Sequence, residues 1–390
     1  MSEKLKALSK EDESENQKPI KLVHVIGAGA MGGDIAVWCA FQGFRVSLHD
    51  HKGKNIAKVI KNAHQLGRKK HLSESAHRAF LDRLIPDFKN DFIKHADLVI
   101  EAVPEDLDIK LEIYQDIESR MKADAILASN TSSIPLDKLS KSLKRPERFI
   151  GLHFFNPVVK MKLVEIVAHE NAEQAVLTKA RVFTGQLDRF PVPVSSSPGF
   201  LVNRALTPYL MEAMALLDEG VPAEAIDKTA EDFGMPMGPI ELADQVGLDI
   251  CLEVAKMISE QSDSTMATIP GWLTDKVDKG DLGQKTGKGI YAWKDDKPEK
   301  EKSIKAKSEL TDRLILPLLN ACMHCLSNNV IEDEDLLDGA LIFGIGFAPF
   351  LGGPLNYAHQ RGFDDIHTAL SKLADEHGER FKPDTGWKAH

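Results

Sequence analysis

The stretch from residue 21 to residue 50 constrains the fold of this chain more than any other part of the sequence. An apolar run at 21–26 predicts a buried strand, a glycine-rich loop follows it at 27–32, and 34–41 is typical of a helix. A second strand is predicted at 43–50, and it ends in Asp50. A glycine loop alone is weak evidence, whereas strand, loop, helix, strand and acid within about thirty residues indicate a dinucleotide-binding unit. A Rossmann-like α/β domain with a doubly wound sheet is therefore expected.

The loop between the first strand and the first helix contains three glycines with different predicted roles. Gly27 permits the tight turn, Gly29 lets the backbone approach a pyrophosphate, and Gly32 lets the helix pack closely on the strand. The phosphates would lie at the helix N-terminus, where N–H groups and the helix dipole favour anions. Asp50 is expected to bind the adenine ribose, which favours NAD over NADP. The predicted contacts within the loop are Gly27, Ala28, Gly29, Ala30, Met31 and Gly32.

Two further strands are predicted in α/β order, at 96–103 and 125–129. In an open parallel sheet, ligands bind beyond the carboxyl ends of the strands. Four polar residues fall at such ends: Glu105, Asn130, Ser132 and His153. Ser132 has an equally good alternative role as a helix cap before Pro135, because serine is favoured at that position.

His153 and Glu165 form a candidate proton-transfer pair. They lie at the ends of two short apolar runs, 149–152 and 163–167, which both predict buried strands. An imidazole can take a proton from a substrate hydroxyl at neutral pH. A carboxylate that binds the other ring nitrogen fixes the tautomer and stabilises the imidazolium. Taken alone, a histidine and a glutamate at these positions are more often ordinary polar strand ends.

The composition bounds the class of protein. A chain of 390 residues that is 43% hydrophobic can bury cores for two or three domains. Its net charge of −10 argues against a general nucleic-acid-binding protein. No apolar run is long enough to span a bilayer, and residues 1–19 lack the apolar centre of a signal peptide. A mobile polar leader and a cytoplasmic protein are therefore expected.

Cys322 and Cys325 form a CxxC pattern inside an apolar, helix-like run at 314–326. A zinc site would need a second pair at matching spacing, whereas Cys39 and Cys251 are isolated in the sequence. Buried, reduced thiols and no metal are expected.

From Pro198 onward the apolar residues recur at the three- and four-residue spacing of helices. Residues 203–210 resemble 312–319, and residues 234–239 resemble 344–349, at an offset of about 110 residues. This pattern predicts a duplicated helical unit.

The second copy has Asp312 where the first has Asn203, so it lacks that amide donor and is interpreted as structural. The segment between the copies is dense in charged residues and predicts an exposed linker. The expected organisation is a leader at 1–19, a nucleotide-binding domain at 20–196, a helical substrate domain at 197–294, a charged linker at 295–309 and a second helical repeat at 310–390.

Seven blocks of the sequence carry a family resemblance: 25–32, 101–103, 128–133, 153–157, 163–165, 198–204 and 236–239. With these blocks the chain resembles the L-3-hydroxyacyl-CoA dehydrogenases of fatty-acid β-oxidation from about residue 20 to its C-terminus. It is especially similar to the dehydrogenase part of the bacterial multifunctional enzyme. The resemblance implies oxidation of L-3-hydroxyacyl-CoA to 3-oxoacyl-CoA with NAD as cofactor.

The resemblance also implies roles for individual residues. His153 is similar to the catalytic base of the family and Glu165 to its orienting carboxylate. Ser132 and Asn203 match groups that hydrogen-bond the reacting substrate, and Asn156 matches a residue that supports the same site. The implied cofactor contacts outside the glycine loop are Glu105, Lys110, Asn130, Ser132 and Lys285.

Two other functions remain open at this point. A related hydroxyacid dehydrogenase, such as an L-gulonate 3-dehydrogenase, shares a similar HxxNP site, although the duplicated helical unit favours the acyl-CoA enzyme. A non-catalytic NAD-binding protein would also keep the fold, because a fold alone proves no activity. The multifunctional enzyme carries a hydratase module before its dehydrogenase part. A short polar segment stands there in this sequence, so no hydratase activity is expected of it.

Two weaker hypotheses concern partners. Lys54, Lys58 and Lys61 would form one basic stripe on a helix, which is more often a solvated helix face but could bind the phosphates of CoA. Shorter relatives are implied to dimerise through their single helical unit. A second copy in the same chain would occupy that surface, so a monomer, or a dimer through another surface, is expected.

Overall fold

In a computed structural model of the chain, the described residues are 19–261, 266–301 and 303–388. The predicted leader lies outside them except for its last residue. The chain divides into two compact units, of which the first ends at Ser197 and the second begins at Pro198.

The first unit contains an eight-stranded sheet with the order β3-β2-β1-β4-β5-β6-β7-β8. All neighbouring pairs are parallel except β6 and β7, which are antiparallel. The carboxyl ends of β1, β4, β5 and β6 therefore share one edge. The strands are β1 (Leu22–Ile26), β2 (Arg45–His49), β3 (Leu84–Pro86), β4 (Leu98–Glu101), β5 (Ile126–Ser129), β6 (Phe149–Phe154), β7 (Leu163–Ala168) and β8 (Phe190–Ser195).

The helices of the first unit are α1 (Ala30–Phe41), α2 (Gly53–Lys69), α3 (Glu74–Leu81), α4 (Leu107–Glu118), α5 (Leu136–Ser140) and α6 (Gln174–Gln186). Helix α1 begins four residues before the predicted start, since Gly29 already takes the N-cap position. Strand β4 is shorter than predicted because its partner β1 ends at Ile26, which is paired with Glu101.

His24 is a polar residue in the middle of the buried strand β1. Its Nδ1 lies 2.8 Å from Ser47 Oγ and its Nε2 lies 2.7 Å from Asn90 Oδ1, so both ring nitrogens are paired inside the core. Burial lowers the pKa of His24 from about 6.5 to about 4, although the hydrogen bond to Asn90 acts in the opposite direction. The imidazole is therefore neutral in the folded protein at physiological pH.

We expect the buried His24 to reduce stability in acid. Its pKa is lower in the folded state, so between pH 6.5 and 4 the unfolded chain binds the extra proton and stability falls as the pH falls. Going from pH 7 to pH 5, this residue should lower the free energy of unfolding by about 2 kcal/mol. Urea titrations of wild type and His24→Gln at both pH values measure it. Equal pH dependence in the two proteins would contradict the assignment.

The helices of the second unit are α7 (Val202–Asp218), α8 (Ala223–Phe233), α9 (Pro239–Val246), α10 (Leu248–Gln261), α11 (Gly271–Asp278), α12 (Thr311–Ser327), α13 (Glu334–Ile345), α14 (Pro354–Arg361) and α15 (Phe363–His377). The repeat is visible in matched pairs of helices. Helices α7 and α12 both have 17 residues and an internal proline, Pro208 in one and Pro317 in the other.

A buried aspartate fixes the same helix start in both copies. Asp227 accepts hydrogen bonds from the N–H groups of Ile240 and Glu241 at the start of α9. In the second copy, Asp338 accepts from Leu355 and Asn356 at the start of α14. Burial raises the pKa of Asp338 to about 7. The carboxylates take up N–H groups that a helix leaves unsatisfied at its first turn.

The predicted correspondence of 234–239 with 344–349 is wrong in register. Gly234 ends α8 with positive φ, and its counterpart Gly346 ends α13. Pro239 begins α9, whereas the equivalent helix begins at Pro354 rather than at Pro349. The second copy is longer here because it contains an extra 3-10 turn, Pro349–Leu351. An insertion of this kind shifts sequence similarity away from structural equivalence.

The two helical copies belong to one compact unit, and α12 packs along α7. A charge cluster around the buried Glu212 and Arg313 joins them: Arg313 on α12 donates to Glu212 at 2.6 Å and to Glu219 at 2.7 Å, and Arg380 donates to Glu212 at 2.7 Å. This packing agrees with the expectation that the second copy covers the first.

The charged segment between the copies has no buried residue among those described, and it makes several contacts with the second unit. It begins with a hairpin of β9 (Trp293–Lys294) and β10 (Lys297–Pro298). Lys300 then reaches Asp227 at 2.9 Å and Glu241 at 2.5 Å. The backbone N–H of Lys307 donates to Thr229 on α8. Lys300 thus attaches the segment to α8, because the buried carboxylate of Asp227 needs a cationic partner.

All four cysteines are buried, and none forms a disulfide. Cys322 and Cys325 lie within α12, as the apolar run predicted. Within the described ranges, no group of three or more potential ligands could hold a metal ion. No helix in the described part of the chain is long and apolar enough to cross a bilayer.

Candidate active site

The glycine loop turns between the end of β1 and the start of α1. Gly27 has a φ of 98°, and a Cβ there would lie 2.5 Å from the Ala102 carbonyl oxygen. A Cβ on Gly32 would lie 1.9 Å from the Gly27 oxygen. Protein contacts alone therefore require these two glycines. By contrast, a Cβ on Gly29 would meet nothing within 4 Å, so the space beside it is open to a ligand.

Helix α1 begins beside this open space without any side-chain cap. Its N-cap is Gly29, and its first turn contains no acidic residue. The first N–H groups of a helix have no partners within the helix and attract anions. The loop Gly27, Ala28, Gly29, Ala30, Met31 and Gly32 thus fits the pyrophosphate of a dinucleotide in both shape and charge.

Asp50 follows β2 and is held by the same loop. Its Oδ2 accepts from the Ala28 N–H at 2.8 Å, and its Oδ1 accepts from the Lys52 N–H at 2.7 Å. Partial burial raises its pKa, but these two bonds and the amide of Asn55 outweigh that effect and leave the pKa below its usual value. Asp50 is therefore a fixed negative charge near the glycine loop.

A buried polar network occupies the carboxyl end of β4. Glu101, with no exposed surface, accepts from Lys110 Nζ at 2.7 Å, from Tyr114 at 2.6 Å and from Ser129 at 2.8 Å. Lys110 is equally buried and also lies 3.3 Å from Glu105. Its ammonium is thus enclosed between two carboxylates rather than presented to solvent.

Glu105 binds the turn that follows β5. Its Oε1 accepts from the Thr131 hydroxyl at 2.5 Å, the Ser132 N–H at 2.8 Å, and both the N–H and hydroxyl of Ser133, at 2.9 and 2.8 Å. Burial raises the pKa of Glu105, but the Lys110 charge and the bonds from the turn outweigh it and lower the pKa. Helix α5 begins only at Leu136, so Ser132 is not its N-cap.

His153 and Glu165 are directly paired across the antiparallel strands β6 and β7. Nδ1 of His153 lies 2.6 Å from Glu165 Oε2, and both side chains are buried. Beside them, the Asn130 side-chain oxygen accepts from the Phe154 N–H at 2.9 Å, which ties the end of β5 to β6. Imidazole, carboxylate and the Ser132 turn therefore share the sheet edge that carries the glycine loop.

Three other predicted residues lie on other segments of the chain. Asn156 is exposed in the connection between β6 and β7, and its peptide bond to Pro157 is cis. Asn203 and Lys285 belong to the second unit. Asn203 lies in the first turn of α7, and Lys285 pairs with Asp249 at 2.6 Å.

The residues Lys54, Lys58 and Lys61 lie on α2 as predicted, and all three are exposed.

The hydrogen-bond network around Glu101 and Glu105 was not predicted from the sequence. A glutamate at the end of a buried apolar strand, such as Glu101, was the one feature of the sequence that indicated it. The members that sequence reasoning gave no role are Glu101, Tyr114, Ser129, Thr131 and Ser133.

The sequence matches two family profiles. The 3-hydroxyacyl-CoA dehydrogenase NAD binding domain covers residues 22–197, and the 3-hydroxyacyl-CoA dehydrogenase C-terminal domain covers residues 199–293. Their boundary coincides with the division between the two structural units.

Individual relatives agree with these matches. The fatty acid oxidation complex subunit alpha of Vibrio parahaemolyticus is 35% identical over 94% of this chain and 54% of its own length. The chain spans about half the length of the curated relatives it matches. The crystal structure of 3-hydroxybutyryl-CoA dehydrogenase from Escherichia coli K12 superposes with a TM-score of 0.85 at 27% identity, covering 95% of this chain and 98% of that one.

A shorter solved relative is the (S)-3-hydroxybutyryl-CoA dehydrogenase from Ralstonia eutropha. It is 36% identical with a TM-score of 0.66, and it covers 70% of this chain and 99% of its own. Together with the cofactor loop described above, these matches settle the class of the protein. The chain belongs to the 3-hydroxyacyl-CoA dehydrogenase family and is an NAD-dependent oxidoreductase.

Proposed function

We propose that the protein oxidises L-3-hydroxyacyl-CoA to 3-oxoacyl-CoA, with His153 as general base and Glu165 as its orienting carboxylate. The observation that carries this proposal is the 2.6 Å contact between His153 Nδ1 and Glu165 Oε2, at the sheet edge of the glycine loop. When bound, NAD accepts the hydride from C3 of the substrate.

The buried pair has the arrangement that proton transfer requires. With Nδ1 directed to Glu165, Nε2 is the ring nitrogen that exchanges a proton with the substrate hydroxyl. The carboxylate stabilises the imidazolium that forms, and burial strengthens this attraction because little water screens it. In the reverse direction the imidazolium returns the proton to the ketone oxygen.

Two further residues are proposed to bind the substrate oxygen. Ser132, on the turn held by Glu105, and Asn203, at the start of α7, each have a side-chain donor that can stabilise the oxygen as it becomes a carbonyl. Asn156 is proposed to support this site, and Asn130 and Lys285 to contact the cofactor. A role in fatty-acid oxidation is proposed from the relatives named above.

An assay of two substrates tests the reaction. The protein should oxidise NADH with acetoacetyl-CoA and should show little turnover of L-gulonate with NAD. Faster turnover of gulonate would favour the related hydroxyacid dehydrogenase, and no turnover of either substrate would favour a non-catalytic protein. A series of 3-hydroxyacyl-CoA substrates from C4 to C16 then measures the preferred chain length.

We predict a strong preference for NADH over NADPH. The fixed charge of Asp50 should repel a 2′-phosphate, so kcat/KM with NADH should exceed that with NADPH. Asp50→Asn keeps the side-chain size and an acceptor but removes the charge, and it should shrink the ratio. A wild-type ratio near one would contradict the role of Asp50.

The lysine stripe is proposed to bind the CoA phosphates. Lys54, Lys58 and Lys61 are exposed on α2, a helix without acidic residues in its first turn. The double variant Lys58→Glu and Lys61→Glu should raise KM for acetoacetyl-CoA more than KM for NADH, since both molecules are anions but only the CoA phosphates are proposed to bind the stripe. An unchanged KM would identify the stripe as a solvated face.

A further inference from the structure

A single carboxylate oxygen holds the turn that carries Ser132. Oε1 of Glu105 receives hydrogen bonds from Thr131, Ser132 and Ser133, including two backbone N–H groups. The turn belongs to neither β5 nor α5, so no strand or helix ladder fixes these residues. Its conformation therefore depends on Glu105.

We propose that Glu105 is a positioning residue, which fixes Ser132 for the reaction, and that Lys110 acts through Glu105. This inference rests on the proposed role of Ser132 as a donor to the substrate oxygen. It replaces a direct cofactor contact as the main function of both Glu105 and Lys110.

The surroundings of Lys110 support this assignment. The side chain is only 1% exposed, and its ammonium lies 2.7 Å from Glu101 and 3.3 Å from Glu105. Glu101 is itself held by Tyr114 and Ser129, which lie on α4 and β5. A continuous chain of contacts thus runs from the end of β4 through Lys110 and Glu105 to the Ser132 turn. A buried cation enclosed by two carboxylates is well placed to orient them.

The position of Ser132 matters because a donor to a developing charge must be held in advance. The Ser132 N–H is itself bound to Glu105, so the backbone that carries the hydroxyl is fixed at the adjacent atom. A displacement of about 1 Å in such a group can cost about 10²-fold in rate. Loss of the Glu105 carboxylate should therefore affect turnover more than cofactor affinity.

The variant Glu105→Gln tests whether Glu105 acts on turnover or on cofactor affinity. Both carboxylate oxygens act as acceptors, one for the turn and one for Lys110, whereas a glutamine amide offers one acceptor and one donor. The variant must lose either the turn or Lys110. We expect kcat for acetoacetyl-CoA reduction to fall by about 10- to 100-fold, with the NADH dissociation constant changed less than about twofold.

A double-mutant cycle with Ser132→Ala provides the decisive measurement. If Glu105 acts through Ser132, adding Glu105→Gln to Ser132→Ala should lower kcat by no more than about threefold further. Multiplicative losses, or a weakening of NADH binding as large as the loss in kcat, would overturn the inference. Glu112→Gln, an exposed carboxylate on the same helix as Lys110, is the matched control and should leave kcat unchanged.

Ser133→Ala provides a second test of the proposal in case Glu105→Gln fails to fold. It removes one donor to Glu105 and retains every charge. We expect a smaller loss of kcat that also disappears in the Ser132→Ala background, and a loss that persists there would contradict the proposal. Inactivity of the wild-type protein toward acetoacetyl-CoA would instead reject the proposed function itself.

Discussion

Replacing His153 with glutamine is expected to lower kcat by about 10²- to 10⁴-fold while leaving the affinity for NADH nearly unchanged. The imidazole is the proposed base, and glutamine cannot exchange a proton at neutral pH, although its amide can still donate to Glu165. Steady-state reduction of acetoacetyl-CoA measures kcat, and fluorescence titration measures NADH binding. Turnover near that of the wild type would rule out His153 as the base.

Glu165→Gln serves as the companion variant. It keeps the shape of the side chain at 2.6 Å from His153 but removes the charge that stabilises the imidazolium. We expect a clear loss of kcat that does not add fully to the loss in His153→Gln, because the two side chains act as one unit. Fully multiplicative losses would indicate that Glu165 acts independently of His153.

Replacing Lys110 with methionine is expected to destabilise the first unit strongly. Methionine fills a similar volume, but it leaves the Glu101 and Glu105 carboxylates without their shared cation, and Glu101 has no exposed surface. Removal of one partner from a buried ion pair costs about 3–5 kcal/mol. Urea denaturation followed by circular dichroism measures the free energy of unfolding.

The double variant Lys110→Met with Glu101→Gln is the control for this stability prediction. It removes the buried charge together with its partner and should recover part of the loss. Lys141→Met, at an exposed lysine of the same unit, should change the free energy of unfolding by less than about 0.5 kcal/mol. If Lys110→Met changed the free energy of unfolding as little as Lys141→Met, the contacts of Lys110 with Glu101 and Glu105 would not stabilise the unit.

The order of strands, glycine loop and helices in the first unit was largely predictable because it depends on local patterns. Apolar runs bounded by glycines and acids define strands β1, β2, β4 and β5, and the period of the apolar residues distinguishes the helical half. The repeat was also detectable at α7 and α12. The two copies were aligned incorrectly at Pro239, because the extra 3-10 turn at 349–351 has no counterpart in the first copy.

The sequence by itself determined the class of fold and the cofactor loop, since both follow from residue type and short spacing. Its resemblance to a family indicated the residues proposed for proton transfer. Only the tertiary structure decided what these residues contact. The antiparallel pairing of β6 and β7 sets His153 directly against Glu165, which are twelve residues apart in sequence. Likewise, Lys110 is enclosed by Glu101 and Glu105, and Lys300 reaches back to Asp227. Such contacts depend on strand register and on the need to pair buried charges, which no local pattern encodes.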